Sequence, residues 1–386
     1  FWLKPFASRH CACFCSPTFC DCCADMLESL HGTVLGAELL FWFLGLSWTL
    51  GGVCVGVACG GCADYTYGLS FGIFGVVAID SIRGRQAWSS LCLSSMALAG
   101  PRSSTERGFY RWWLSWGTLA GMSTVMWFTR FKARPGFVKK IQDIGFKQYF
   151  KQLELRGALD KVEKEKSLFC FHPHGILSTG FSVLGVWNKQ FHEIAGRNTQ
   201  FLVDKVLRED NPFFKVICDL HGTVNTLNKN SLHKLMGADT NISIVPGGFE
   251  DATAMHYNKD ITVIRKRTGF IKYALQYGYR VYPIYTFGES TTHNTFTGFL
   301  NFRFWLNQFG IPAVLVYGCP WLPLMPKKNL TILTYVGQPL QLPKIPEPTK
   351  AQVQEWHEKY CDALIRTFED NKKEAGLPDH AKLQIW

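Results

Sequence analysis

The sequence predicts an α/β domain with a mostly parallel central sheet flanked by helices, preceded by an N-terminal transmembrane hairpin. Three observations carry that reading. From Ser167 onward, short runs rich in β-formers alternate with helical stretches, the pattern of strands linked by crossover helices. The last long stretch, Lys350–Lys373, places Val353, Trp356, Tyr360, Leu364 and Phe368 three and four residues apart, which gives a helix one apolar stripe. Near the start, Leu39 to Ala58 carries no charge, and about 20 apolar residues suffice to span a bilayer as a helix.

In chain order, residues 1–33 form a Cys-rich tail with no periodic pattern, and six of the 14 cysteines fall between Cys11 and Cys23. Their spacing lacks the separated pairs of zinc modules, and a chain of this size does not need a disulfide framework. Palmitoylation beside a membrane segment is a further reading of the cluster. Residues 34–130 hold three apolar runs, at 34–62, 67–79 and 112–128; the third begins with tryptophans and is followed by Arg130, Lys132 and Arg134, as at a cytosolic membrane edge. Residues 131–166 interleave lysines and arginines with Phe137, Ile141, Phe146 and Tyr149, so this stretch is expected to lie, basic and amphipathic, on an anionic membrane surface. The domain proper is expected over 167–386, with strands at Leu168–Phe171, Gln200–Val203, Gly222–Thr226, Ile242–Val245, Val281–Thr286, Ala313–Tyr317 and Thr331–Val336, and a helix at Gly269–Tyr277.

Composition narrows the function. Aromatics reach 15% and charged residues only 18%, below the roughly 25% of soluble proteins, which fits partial membrane residence. The net charge of +11 favours anionic partners, either lipid headgroups or a phosphorylated substrate. No nucleic-acid-binding signature is present, so nucleic acid is not an expected partner.

Three constellations can carry chemistry. His172-Pro173-His174-Gly175 ends the first apolar strand, and proline stops a ladder because it has no N–H to donate. Two histidines at i and i+2 share a strand face. They read as a general base with its neighbour, as satisfied structural residues, or as a metal pair needing a third ligand from Asp219, His221 or His256. Pro246-Gly247-Gly248-Phe249-Glu250-Asp251 follows another strand. Its glycines let a substrate approach bare backbone and offer N–H groups to an oxyanion, and its carboxylates can orient a histidine or a hydroxyl. Arg265-Lys266-Arg267 precedes a helix start and suits phosphates. The strand at Val281–Thr286 delivers Gly288 and Glu289 to the same end. Neither a Gly-x-Ser-x-Gly elbow nor a nucleotide-binding fingerprint occurs.

In order along the chain, His172-Pro173-His174-Gly175, Pro246-Gly247-Gly248, Arg267-x-Gly269-Phe270, Pro283-Ile284-Tyr285-x-Phe287-Gly288-Glu289, Val336-Gly337-x-Pro339 and Pro348-Thr349, with His357 and Tyr360 on the final helix, resemble the type-2 diacylglycerol acyltransferase family and its monoacylglycerol and wax-alcohol relatives. The resemblance covers about residues 145–380. Phe43-Leu44-x-Leu46 is similar to the family's neutral-lipid motif. Asp251 stands where that family usually has Glu, with Glu250 before it.

The resemblance implies a glycerolipid-acyltransferase-like fold and direct acyl transfer from acyl-CoA, a co-substrate, to diacylglycerol, with no cofactor and no metal. A monoacylglycerol or long-chain alcohol acceptor is the alternative within the family, and a non-enzymatic lipid-binding protein the alternative outside it. The catalytic residues it implies are His174 or His172, with Asp251 or Glu250. Pro173, Gly175, Pro246, Gly247, Gly248, Arg265, Lys266, Arg267, Gly288 and Glu289 are expected to bind substrate. The expected partners are acyl-CoA, diacylglycerol and membrane lipids, with self-association left open. The expected location is the endoplasmic reticulum membrane, with the catalytic domain cytosolic, or the lipid droplet surface.

Overall fold

The computed structural model describes residues 127–386 apart from 145, 147, 148, 310–312 and 320–324. The expected tail at 1–33 and the apolar runs at 34–62 and 67–79, with all but the last two residues of 112–128, lie outside the described residues. Among the described residues no helix is long and apolar enough to cross a membrane.

An eight-stranded sheet organises the described region. The strands are β1 (Gln152–Gly157), β2 (Ser167–His172), β3 (Gln200–Val203), β4 (Val224–Thr226), β5 (Ile242–Ile244), β7 (Arg280–Phe287), β10 (Thr331–Val336) and β11 (Leu340–Gln341), in the spatial order β1-β10-β7-β2-β5-β3-β4, with β11 also on β7. Strands β7, β2, β5, β3 and β4 are mutually parallel, while β10 and β11 run antiparallel to β7, and β1 runs parallel to β10. The expected sheet is therefore present, with an antiparallel flank that the run of apolar segments does not announce.

β2 sits between β7 and β5 and is buried at every position, as a continuous apolar run requires when both faces are covered. Its alternate side chains feed two cores. Phe169 and Phe171 join Phe191, Phe201, Tyr282 and Ile284 on one face, while Leu168 and Cys170 join Ile242, Tyr285, Leu333, Tyr360 and Phe368 on the other. By the same alternation His172 faces the second core.

The helices are α1 (Pro135–Ile144), α2 (Lys189–Ala195), α3 (Pro212–His221), α4 (Lys229–Gly237), α5 (Gly248–Ala254), α6 (Gly269–Tyr277), α7 (Leu300–Asn307) and α8 (Lys350–Asn371), with short helical turns at 179–186 and 205–208. Asn188, Asn211 and Asn228 each start a helix by accepting a backbone N–H. A capping box between Thr349 and Gln352 starts α8, and the expected stripe of Val353, Tyr360, Leu364 and Phe368 is buried on the sheet.

Two expectations are corrected. Residues 131–166 do not form a separate surface segment. They supply β1 to the main sheet, and the apolar face of α1 is used on the protein itself, with Ile141 buried and Phe137 edge-on to Trp187 at 6.2 Å. The stretch Ala313–Tyr317 does not enter the main sheet. Only Val316–Tyr317 extends, as β9, pairing with β8 (Asn294–Thr295) in a small hairpin. Leu315 and Tyr317 stay exposed there, because no core face lies opposite them.

Candidate active site

The ends of β2, β5 and β7 gather the three sequence constellations. In the first, Pro173 and Gly175 are buried and His174 is half-open. Gly175 has φ of +59°, and a Cβ there would lie 2.4 Å from Cγ of Glu289, so glycine is required both by conformation and by space.

The two histidines have different surroundings. His172 is fully buried, with Nδ1 3.1 Å from Thr262 Oγ1 and Nε2 2.7 Å from Tyr360 Oη. Thr262 donates its own hydroxyl to Asp251 Oδ2 at 3.2 Å, so it accepts from His172 Nδ1–H, and His172 Nε2 accepts from Tyr360. Burial, reinforced by the proximity of His357, pushes the His172 imidazole down to about 3 and holds it neutral. His174 donates Nδ1–H to the carbonyl of Gly175 at 3.0 Å, which fixes the tautomer and leaves the Nε2 lone pair without a hydrogen-bond donor among the described residues. Burial lowers its proton affinity, the bond to Gly175 opposes that, and Arg267 and Asp204 act on it through space with opposite signs.

Asp251 ties these parts together. Its Oδ2 accepts the backbone N–H of His174 at 2.7 Å as well as Thr262, and its Oδ1 accepts Val263 N–H at 2.9 Å. Burial raises its carboxyl to about 6 against those hydrogen bonds. Gly247 makes room for it, since a Cβ there would lie 2.3–2.5 Å from the Asp251 side chain. The result is a continuous buried chain from Tyr360 on α8 through His172, Thr262 and Asp251 to the backbone of His174. Asp251 thus orients His174 through the main chain and not through the ring.

Glu289 follows Gly288, whose left-handed conformation turns the chain out of β7. It does not line a cleft. It is buried, accepts Thr179 N–H at 2.9 Å and Gly180 N–H at 3.0 Å, and is raised to about 7 by burial. It therefore braces the helical turn that follows His174-Gly175.

Glu250 turns away from the histidines, 3.1 Å from Arg267, with both side chains about two-fifths exposed. Pro246 and Gly248 are half-buried at the same turn, and Gly248 lies against the Arg267 guanidinium. Arg265 and Lys266 are exposed, and Arg265 also bonds the backbone of Ile385 and Trp386. The further ligands considered for a metal lie elsewhere: Asp219 pairs with Arg208 and Lys215, His221 bonds Val186 O, and His256 sits in a loop bridged to Lys259. Cys170 is buried in the second core with its thiol pushed up by burial.

Thr262 has no signal in the sequence, because it lies on a two-residue strand, β6 (Ile261–Thr262), and a lone threonine marks nothing. Tyr360 and His357 were visible as positions on the last helix but not as neighbours of His172.

The family description "Diacylglycerol acyltransferase" matches residues 129–386. The chain belongs to the diacylglycerol acyltransferase family. It is an O-acyltransferase of lipid metabolism by that membership. Among curated relatives, mouse (Mus musculus) diacylglycerol O-acyltransferase 2-like protein 6 is 31% identical over 62% of this chain and 76% of its own length. Mouse 2-acylglycerol O-acyltransferase 1 is 28% identical over 62% and 74%, and human (Homo sapiens) acyl-CoA wax alcohol acyltransferase 2 is 26% identical over 62% and 75%. A crystal structure of the 1-acyl-sn-glycerophosphate acyltransferase PlsC from Thermotoga maritima gives a TM-score of 0.36 at 11% identity, over 80% of this chain and 94% of that one.

Proposed function

We propose that the chain is an acyl-CoA:diacylglycerol O-acyltransferase that forms triacylglycerol by direct transfer. His174 Nε2 takes the proton from the acceptor hydroxyl. The resulting alkoxide attacks the thioester carbonyl, the C–S bond breaks, and the departing CoA thiolate takes the proton back from His174. Backbone N–H groups at Gly175 and Gly247-Gly248 face the developing oxyanion. Arg265, Lys266 and Arg267 receive the CoA phosphates, Arg267 exchanging Glu250 for a phosphate. His172, Thr262, Tyr360 and Asp251 position the base without touching substrate. The reaction takes place at the endoplasmic reticulum membrane or the lipid droplet surface, without a cofactor.

The observation that carries this reading is the tautomer of His174. His174 is part-exposed, and with its Nδ1–H committed to Gly175 O the Nε2 lone pair is the one left to take a proton, beside a buried framework that keeps it there. A monoacylglycerol or long-chain alcohol acceptor uses the same step, and the relatives carry names of each kind.

The test supplies membranes from expressing cells with labelled acyl-CoA and a panel of acceptors. Label in triacylglycerol, and its loss in His174→Ala at equal expression, by roughly 10²–10⁴-fold as for removal of a general base, supports the proposal. Label only in diacylglycerol or wax ester changes the acceptor. No label from folded protein overturns the activity.

A further inference from the structure

Between β7 and β10 the chain makes an excursion built with its polar side inward. On α7, Arg303 is buried and donates to Ala313 O at 2.7 Å, Phe296 O at 2.6 Å and Thr253 O at 3.0 Å. Asn307 donates to the Thr253 hydroxyl at 2.8 Å. The outward side is aromatic: Phe299 is 79% exposed, Phe302 57%, Trp305 48% and Phe309 57%. Phe302 and Trp305 stack at 5.6 Å, and Phe309 meets Trp305 at 4.8 Å. Leu315 and Tyr317 of the adjoining hairpin extend the exposed face. A helix facing water shows the opposite arrangement, and a contiguous exposed apolar patch marks a surface that meets something.

We infer that this face docks on an anionic lipid surface. Charge selects that occupant. From Ser290 to Pro346 there is no Asp or Glu, while Lys327 and Lys328 follow the hairpin; Arg303, in the same stretch, is turned inward onto carbonyls. Lys327 stands at the rim, bonded to Asn294 Oδ1 at 2.8 Å and 3.9 Å above the Tyr257 ring. Aromatic rings settle at headgroup depth and cations draw them to anionic lipid, and an acid-free segment has nothing to repel such a surface. Position adds a purpose. α7 packs on α5 through Arg303, Asn307 and Thr253, and α5 carries Asp251, which holds His174. Docking would therefore bring lipid to the strand ends. That last step rests on the acyl-transfer reading; the docking does not.

The experiment places the full chain in phosphatidylcholine vesicles, with and without phosphatidylserine, in which the lipid acyl chains carry a photoactivatable diazirine. Lipid adducts are then mapped by peptide. Adducts within 296–309 that increase with phosphatidylserine, and disappear in Phe302→Ser/Trp305→Ser, support the docking. A segment 296–309 free of adducts overturns it, whether that face proves to be cross-linked to another part of the chain, paired with a second copy, or open to water. Both substituted side chains are exposed, so the variant should keep the wild-type melting temperature, and Phe302→Leu/Trp305→Leu should keep the adducts. In turnover assays, the serine variant should raise the apparent KM for a vesicle-borne acceptor at least tenfold and leave a short-chain, water-dispersed acceptor unaffected. Adducts without any turnover from wild type would instead count against the acyl-transfer reading.

Discussion

His172 and His174 are two residues apart and have opposite roles because one faces a packed core and the other the open end of the sheet. His172 spends both ring nitrogens on Tyr360 and Thr262. Thr262→Val removes the hydroxyl that joins His172 to Asp251 and leaves two buried polar groups short of a partner. The expected loss is about 1–3 kcal/mol of stability, with kcat reduced and KM for acyl-CoA little changed, and Thr262→Ser should restore most of both; denaturant melts and steady-state kinetics check this. His172 also makes a pH prediction. Its folded value, about 3, lies below the usual 6.5 of an unfolded histidine. The stability it contributes by staying neutral is full above pH 6.5 and is lost as pH falls toward 3, with a slope of at most about 1.4 kcal/mol per pH unit. Asp251 and Glu289, raised by burial, act in the opposite direction in wild type and variant alike. The destabilisation caused by His172→Gln should therefore shrink steadily between pH 6.5 and 4.5, as read from melting temperatures across that range. A deficit that stays constant with pH would show that His172 takes up its proton as readily in the folded protein as in the unfolded chain.

The helical turn at 179–186 depends on a carboxylate delivered by another strand. Glu289 leaves β7 and satisfies the first two N–H groups of a turn that begins just after the His174 loop. Glu289→Ala orphans both donors in a buried site, at about 1–3 kcal/mol each, and should abolish measurable transfer by loosening the backbone that carries His174. Glu289→Gln keeps an acceptor oxygen and should retain a measurable fraction of activity. Equal loss in both variants, with unchanged melting, would argue for a direct chemical role of the carboxylate instead of a bracing one. α8 acts comparably at longer range. Its apolar stripe was predicted from spacing alone, and the side chain of Tyr360 on that stripe reaches His172 only because α8 lies across the second core.

The last residues of the chain support the site from a distance. β12 (Gln384–Ile385) pairs with β6, and Trp386 exchanges backbone hydrogen bonds with Thr262 and Arg265 at 2.9 and 2.7 Å. β6 in turn presents Thr262 and Val263 to Asp251. Deleting residues 383–386 should lower the melting temperature by several degrees and reduce acyl transfer at least tenfold; activity assays beside thermal melts would show it. A deletion that melts early but turns over normally would separate β6 from the site.

The sequence alone determined the strands with mostly apolar runs, because a strand buried on both faces admits only those polar residues that find a partner. β3 and β10 appear at their expected bounds, and β2 extends only one residue beyond its run at either end. It also placed two histidines and a glycine beside them at the end of β2, without deciding which of the two histidines faces the open end. The short strands β6, β11 and β12 carry no periodicity and are extended only because a partner strand holds them. Whether a carboxylate meets a substrate, a backbone amide or an arginine is likewise a matter of what folds against it. In the sequence Asp251 and Glu250 were interchangeable as catalytic carboxylates, and Glu289 read as a substrate-binding one. Tertiary packing made the first a brace for His174, paired the second with Arg267 near the surface and buried the third beneath a helical turn, since hydrogen-bond partners brought from 17 to 110 residues away leave no local trace.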